Sequence, residues 1–256
     1  MAFYEREDER MNRFQGRVVL VTGATRGIGR AISSAFLKED ATLIGLYAGN
    51  EESAAAFIAE HPEAAGRIDL RRCNVADAEQ VAALFDHIET RHQRLDILVN
   101  NAGVRRDAVL AMMKDNQWQE VIDTNLTGTF FMARQAVPLM MRNKFGRIVN
   151  ITSPVARLGF AGQANYAASK AGQIALARSL AREVAKKKIT VNCISPGFIA
   201  TDFLDGLPGE LLDEYRKMVP MRRFGTPEEV AHAVLFLSGE EAAYISGTVL
   251  EVSGGL

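Results

Sequence analysis

Short apolar runs alternating with longer stretches of helical period set the tightest limit on what this chain can fold into. The first run, Arg17-Val-Val-Leu-Val-Thr22, is apolar nearly throughout and is ended by Gly23. Runs buried on both faces are what a parallel sheet requires. Six more lie at residues 41–47, 68–73, 95–99, 147–152, 189–195 and 248–252. Between them, residues 28–38, 78–91, 118–141 and 164–186 carry helical patterns. A further helix starts near Thr226, with Thr226 as N-cap, Pro227 at the first helical position and Glu229 three residues after the cap. Alternation of this kind predicts an α/β fold, a doubly wound parallel sheet of about seven strands with helices on both faces. No linker, low-complexity tract or repeat divides the chain, so residues 15–256 are expected to form one domain. Residues 1–14 read as a polar extension with no core to join.

Bulk properties exclude several classes. At 256 residues the chain can bury about three quarters of its unfolded surface. Thirty basic and 31 acidic residues leave a net charge of −1, which gives no reason to expect a nucleic-acid partner. No apolar stretch approaches the ~18 residues of a membrane span, and the charged N-terminus has no apolar signal region. Cys73 and Cys193 read as buried free thiols. The expected location is the cytoplasm.

The stretch Thr22-Gly23-Ala-Thr25-Arg26-Gly27-Ile28-Gly29 follows the first run and opens the first helix. Glycine there lets the backbone take positive φ and lets a pyrophosphate come close. The helix N-terminus then offers free N–H groups to the phosphates. The spacing Gly-x3-Gly-x-Gly departs from the commoner Gly-x-Gly-x2-Gly. Its place after the first strand predicts a Rossmann-type dinucleotide site. The second run ends in Leu46-Tyr-Ala-Gly-Asn50, with no carboxylate to bind a ribose 2′-hydroxyl. Arg26 can pair with a 2′-phosphate. These residues favour NADP (as NADPH) over NAD, while Glu51 and Glu52 read as first-turn helix residues.

Tyr166 and Lys170 are four residues apart in a helical segment and share a face. A free tyrosine, with a pKa of about 10, is a poor proton carrier near neutrality, and a neighbouring ammonium is expected to lower that value. Ser153 follows the run 147–152, at the carboxyl edge where open α/β sheets place ligands, and can donate to a carbonyl oxygen.

Thr22-Gly-x3-Gly-x-Gly29, Asn100-Asn101-Ala102-Gly103, Ser153, Tyr166-x3-Lys170 and Pro196-Gly197 together resemble the short-chain dehydrogenase/reductase family over about residues 15–256. The resemblance implies that Asn125 completes a catalytic tetrad with Ser153, Tyr166 and Lys170. Its backbone would hold a water that links Lys170 to solvent. It also implies that Asn101, Ala102 and Gly103 line the adenosine ribose and that Asn74 and Val75 lie at the adenine. Lys170 would bond the nicotinamide ribose, and Pro196, Gly197, Ile199 and Thr201 would surround the carboxamide. Within the family, Asn101-Ala-Gly-Val-Arg-Arg-Asp107, Gly162-Gln-Ala-Asn-Tyr-Ala167 and Ala243-Tyr-Ile-Ser-Gly247 are similar to bacterial 3-oxoacyl-[acyl-carrier-protein] reductases.

That similarity implies NADPH-dependent reduction of a 3-oxoacyl thioester on an acyl-carrier protein, by a homotetramer. Lys144 and Arg182 would be the docking charges beside the active-site mouth. The alternatives keep the chemistry on a free ketone, alcohol, sugar, steroid or acyl-CoA, or keep the fold as a nucleotide sensor without chemistry. Substrate choice is expected to lie largely in residues 201–221. His61, His87, His92 and His232 show no metal-ligand spacing along the chain, so no metal site is expected.

Overall fold

A computed structural model describes residues 12–201 and 208–256. Residues 1–11 of the expected extension, and residues 202–207 of the expected substrate segment, lie outside the described residues. The strands are β1 (Val18–Thr22), β2 (Thr42–Tyr47), β3 (Ile68–Arg72), β4 (Ile97–Asn100), β5 (Gly146–Ile151), β6 (Ile189–Pro196) and β7 (Val249–Val252). They form one parallel sheet in the order β3-β2-β1-β4-β5-β6-β7. Each expected run became a strand, with ends within two residues of those expected. The order reverses between β1 and β4, the switch point where such sheets open a crevice for ligands.

The helices are α1 (Gly27–Lys38), α2 (Glu51–Ala59), α3 (Ala78–His92), α4 (Asp115–Ile122), α5 (Gly128–Asn143), α6 (Val155–Leu158), α7 (Ala164–Val184), α8 (Gly209–Met218) and α9 (Pro227–Ser238). Side chains alternate across each strand, which splits the core in two. On one face Leu20, Leu98, Ile148 and Val191 pack with Leu84 and Ile88 of α3, Met132 and Leu139 of α5 and Ala177 of α7. On the other, Val19, Val21, Val99 and Ile194 pack with Ile32 and Phe36 of α1 and Val230 and Val234 of α9. Each large side chain buried this way stabilises the fold by roughly 1.5–3 kcal/mol.

Phe14 corrects the expected boundary. It is buried in the second core, edge-on to Phe36 at 4.9 Å, and its N–H donates to the Glu39 carbonyl at 3.1 Å. The packed chain therefore begins before residue 15, because a single aromatic gains enough by burial to carry its backbone with it. The helix at Thr226 forms as expected. The Glu229 N–H donates to Thr226 Oγ1, and Glu229 Oε2 accepts from the Thr226 N–H. Cys73 and Cys193 are buried and free. No helix among the described residues is long and apolar enough to cross a membrane.

The expected single helix 118–141 is instead α4, a π turn over Asp123–Thr127, and α5. A π turn widens the backbone by one residue, and such turns collect at functional sites. Asn125 sits in it, fully buried.

Candidate active site

The glycine-rich turn takes the conformation its composition allows. Gly23 has φ +66° and Gly27 φ +53°. Gly29 is required by space, since a Cβ there would stand 2.0 Å from the Gly23 carbonyl oxygen and 2.5 Å from Asn101 Nδ2. Asn101 braces the turn from β4 across the switch point. Its Nδ2 donates to the Thr22 carbonyl at 2.9 Å and to the Gly23 carbonyl at 3.2 Å. In return, Thr22 Oγ1 accepts the N–H groups of Asn101 (2.9 Å) and Ala102 (2.8 Å).

A cleft of about 870 Å³ opens above this joint, at the carboxyl edge of the sheet. Of the expected cofactor residues, Gly23, Thr25, Arg26, Gly27, Ile28, Gly29, Asn74, Val75, Asn101, Ala102, Gly103, Tyr166, Lys170, Pro196, Gly197, Ile199 and Thr201 line it. Thr22 is the exception: it is buried below the cleft and acts through Asn101 and Ala102. Leu46 to Asn50 line the same cleft as the exposed Arg26, and that stretch carries no carboxylate. Glu51 and Glu52 belong to the first turn of α2, as expected. The positive-φ glycines, the close approach at Gly29 and the free N-terminus of α1 fit a dinucleotide pyrophosphate.

Three of the four expected catalytic side chains line the same cleft. Ser153 follows β5 and lines the cleft with Tyr166, and its Oγ accepts from the Val155 N–H at 3.3 Å. Tyr166 and Lys170 lie one turn apart near the start of α7, with Lys170 Nζ 5.5 Å from the Tyr166 ring centroid. Lys170 Nζ is buried and donates to the Ile151 carbonyl at 2.8 Å. Burial presses its pKa down to about 8.

The expected lowering of the tyrosine is not met. Burial, the largest influence, raises the Tyr166 pKa above its usual value, although Arg105 and Ser153 pull it down. The phenol thus stays protonated through neutrality, the form that donates a proton.

Asn125 does not reach the cleft surface. Its Oδ1 accepts from the Val104 N–H at 2.8 Å, and its Nδ2 donates to the Val104 carbonyl and Ser169 Oγ, which ties the π turn to the loop that carries Arg105 and to α7. Its backbone oxygen, to which the family resemblance gives a water, accepts from Gln173 Nε2 at 2.8 Å and Thr129 Oγ1 at 2.7 Å.

Lys144 and Arg182 are not brought to the mouth of the cleft. Lys144 follows the C-terminal end of α5, and Arg182 lies in the last turn of α7, both at the amino edge of the sheet. Arg182 stands about 24 Å along the helix from Tyr166. The chain runs down each helix away from the carboxyl edge, so helix ends face the opposite side of the molecule.

Sequence reading missed the aromatic end of the cleft. Phe160, Phe198 and Tyr215 line it, and Tyr215 of α8 stacks on Phe198 with centroids 4.6 Å apart and planes 11° from parallel. Tyr215 falls within residues 201–221, where substrate choice was expected, but Phe160 and Phe198 share no period with it and no signal marked them.

Fold and site define an oxidoreductase that uses a nicotinamide cofactor. A family model described as Enoyl-(Acyl carrier protein) reductase matches residues 23–256. The chain belongs to the short-chain dehydrogenase/reductase family. It is 43% identical to the 3-oxoacyl-[acyl-carrier-protein] reductase FabG of Staphylococcus aureus (strain Mu50) over 93% of this chain and 96% of that one. It is 44% identical to the FabG of Vibrio harveyi, over 94% and 98% of the two chains. Against the FabG of Thermotoga maritima the identity is 41%, over 95% and 99%.

Proposed function

We propose that this chain reduces the 3-oxo group of an acyl thioester carried on an acyl-carrier protein, with NADPH as reductant. The observation that carries the reading is a pair of hydroxyls, Ser153 and Tyr166, on the wall of one cleft, with Lys170 Nζ 5.5 Å from the tyrosine ring. The nicotinamide supplies a hydride to the carbonyl carbon when bound. Ser153 donates a hydrogen bond to the carbonyl oxygen and orients it. Tyr166, held as phenol by burial, gives that oxygen its proton as charge develops there. Lys170 stands behind the tyrosine as the next proton source. Asn125 holds the loop 103–105 against the floor of the site through its two bonds to Val104.

NADPH is favoured over NADH by Arg26 beside a second-strand end that lacks a carboxylate. The aromatic wall of Phe160, Phe198 and Tyr215 suits the apolar chain of an acyl group. Relatives named 3-oxoacyl-[acyl-carrier-protein] reductase, alike over nearly their whole length, support the substrate class. A homotetramer in the cytoplasm is the proposed working form. Within one chain, Lys144 and Arg182 lie at the edge of the sheet opposite the cleft. The docking role proposed for them therefore belongs to the cleft of a neighbouring subunit.

The test compares kcat/KM on a carrier-bound 3-oxoacyl substrate, a small free 3-oxoacyl thioester and a panel of simple ketones, each with NADPH and NADH. Preference for the carrier-bound thioester with NADPH supports the reading. Preference for a simple ketone, or for NADH, overturns it.

A further inference from the structure

Away from the cleft, at the free edge of the sheet, three side chains converge that lie far apart or awkwardly spaced along the chain. Asp69 projects from β3, which among the described residues pairs only with β2, towards the helix layer that contains α3. His87 lies on the last turns of α3, and His92 is its final residue. His87 Nε2 is 2.9 Å from Asp69 Oδ2, and His92 Nε2 is 3.7 Å from the same oxygen. One donor atom from each residue lies within 4.8 Å of the other two. Tetrahedral zinc, with bonds of about 2.0–2.2 Å, needs its donors about 3.3–3.6 Å apart, so modest side-chain rotation closes the set. His92 Nε2 is buried and makes no hydrogen bond, an unusual state for a polar atom that costs free energy unless something occupies it.

We propose that Asp69, His87 and His92 form a site for a divalent transition ion of the zinc type, with water completing the coordination. Two imidazoles and one carboxylate are the donor set such ions select, whereas calcium and magnesium favour oxygen alone. The site is separate from the cleft, since none of the three residues lines it. Its effect is to fasten the edge strand β3 to the end of α3.

One neighbour competes. Arg71 Nε donates to Asp69 Oδ1 at 2.7 Å, and Arg71 Nη2 stands 2.8 Å from His87 Nε2. Arg91 Nε lies 3.9 Å from Asp69 Oδ2. Arg71 is 44% exposed and free to swing outward, so at His87 the guanidinium and the ion exclude each other. Removing Arg71 should therefore tighten binding, an outcome that a merely structural ion-pair cluster does not predict.

The experiment is titration of the chelator-stripped, tag-free full chain with Co²⁺, read by its visible absorption, followed by competition with Zn²⁺. The expected result is one saturable site per chain, displaced by Zn²⁺. Affinity should fall roughly tenfold or more in His92→Gln and in Asp69→Asn and rise in Arg71→Ala, with reductase activity unchanged in all three. Absence of saturable binding in the wild type overturns the proposal. So does binding that both His92→Gln and Asp69→Asn leave intact, since the ion would then sit elsewhere.

Discussion

Lys170 Nζ reaches past Tyr166 to donate to the carbonyl of Ile151, the last residue of β5, at 2.8 Å. Two residues further on, Ser153 lines the same cleft as Tyr166. A strand end and one helical turn thereby fix three side chains around a single reacting position. Both elements are rigid and packed in the core, so the geometry exists before a substrate arrives.

If Tyr166 delivers the proton, Tyr166→Phe should lower kcat by about 10²–10⁴ while leaving the dissociation constant for NADPH nearly unchanged. Steady-state kinetics and fluorescence titration of the cofactor measure the two quantities. Turnover close to wild type would remove Tyr166 from the proton path.

The depressed lysine has a thermodynamic consequence. Native Lys170 loses its proton through about pH 8, and the unfolded chain only through the usual 10.5. Between these values the unfolded state binds more protons, so this residue's contribution to stability rises with pH, by at most about 1.4 kcal/mol per unit. Lys170→Met abolishes that titration. The stability of wild type relative to the variant should grow by about 1–2 kcal/mol between about pH 7.5 and about pH 9.5. Urea unfolding at the two pH values checks this, and a difference that does not change with pH would contradict it.

Gly29 and Gly49 offer a controlled comparison in one site. A Cβ at Gly29 collides with the Gly23 carbonyl and Asn101, while a Cβ at Gly49 meets nothing within 4 Å. Gly29→Ala should cost about 1–3 kcal/mol or more and abolish cofactor binding. Gly49→Ala should leave both nearly unchanged. Thermal shift with and without NADPH distinguishes the pair, and equal behaviour of the two variants would mean the turn is not the phosphate site.

Carrier docking is tested by Lys144→Glu with Arg182→Glu. Because both charges lie at the amino edge of the sheet, the double variant should raise KM for the carrier-bound substrate only where an assembled neighbour presents its cleft to them. The effect should weaken with added salt. Turnover of a small free thioester should not change. Light scattering on the same samples establishes the assembly, and an unchanged KM in an intact tetramer removes the dock.

Much of this molecule was legible along the chain because its signals are local. The first strand and its glycine turn are contiguous in sequence, and Tyr166 and Lys170 share a helix face by spacing alone. The parallel sheet follows from apolar runs that must be buried on both faces. Even the helix start at Thr226 is written in three neighbouring residues.

What tertiary structure decided depends on distance through space. The sign of the Tyr166 shift came from burial outweighing nearby positive charge, and burial belongs to the packed fold rather than to any one residue. The π turn at Asn125 came from packing that interrupts an otherwise helical pattern. Phe14 joined the core through Phe36, beyond a boundary that composition placed after it. Lys144 and Arg182 were carried to the far edge by the direction in which α5 and α7 run. The stack of Tyr215 on Phe198, and the meeting of Asp69 with His87 and His92, join residues from separate elements. Local spacing encodes helix faces and turns, but only the completed chain path sets which distant side chains meet, and in what dielectric.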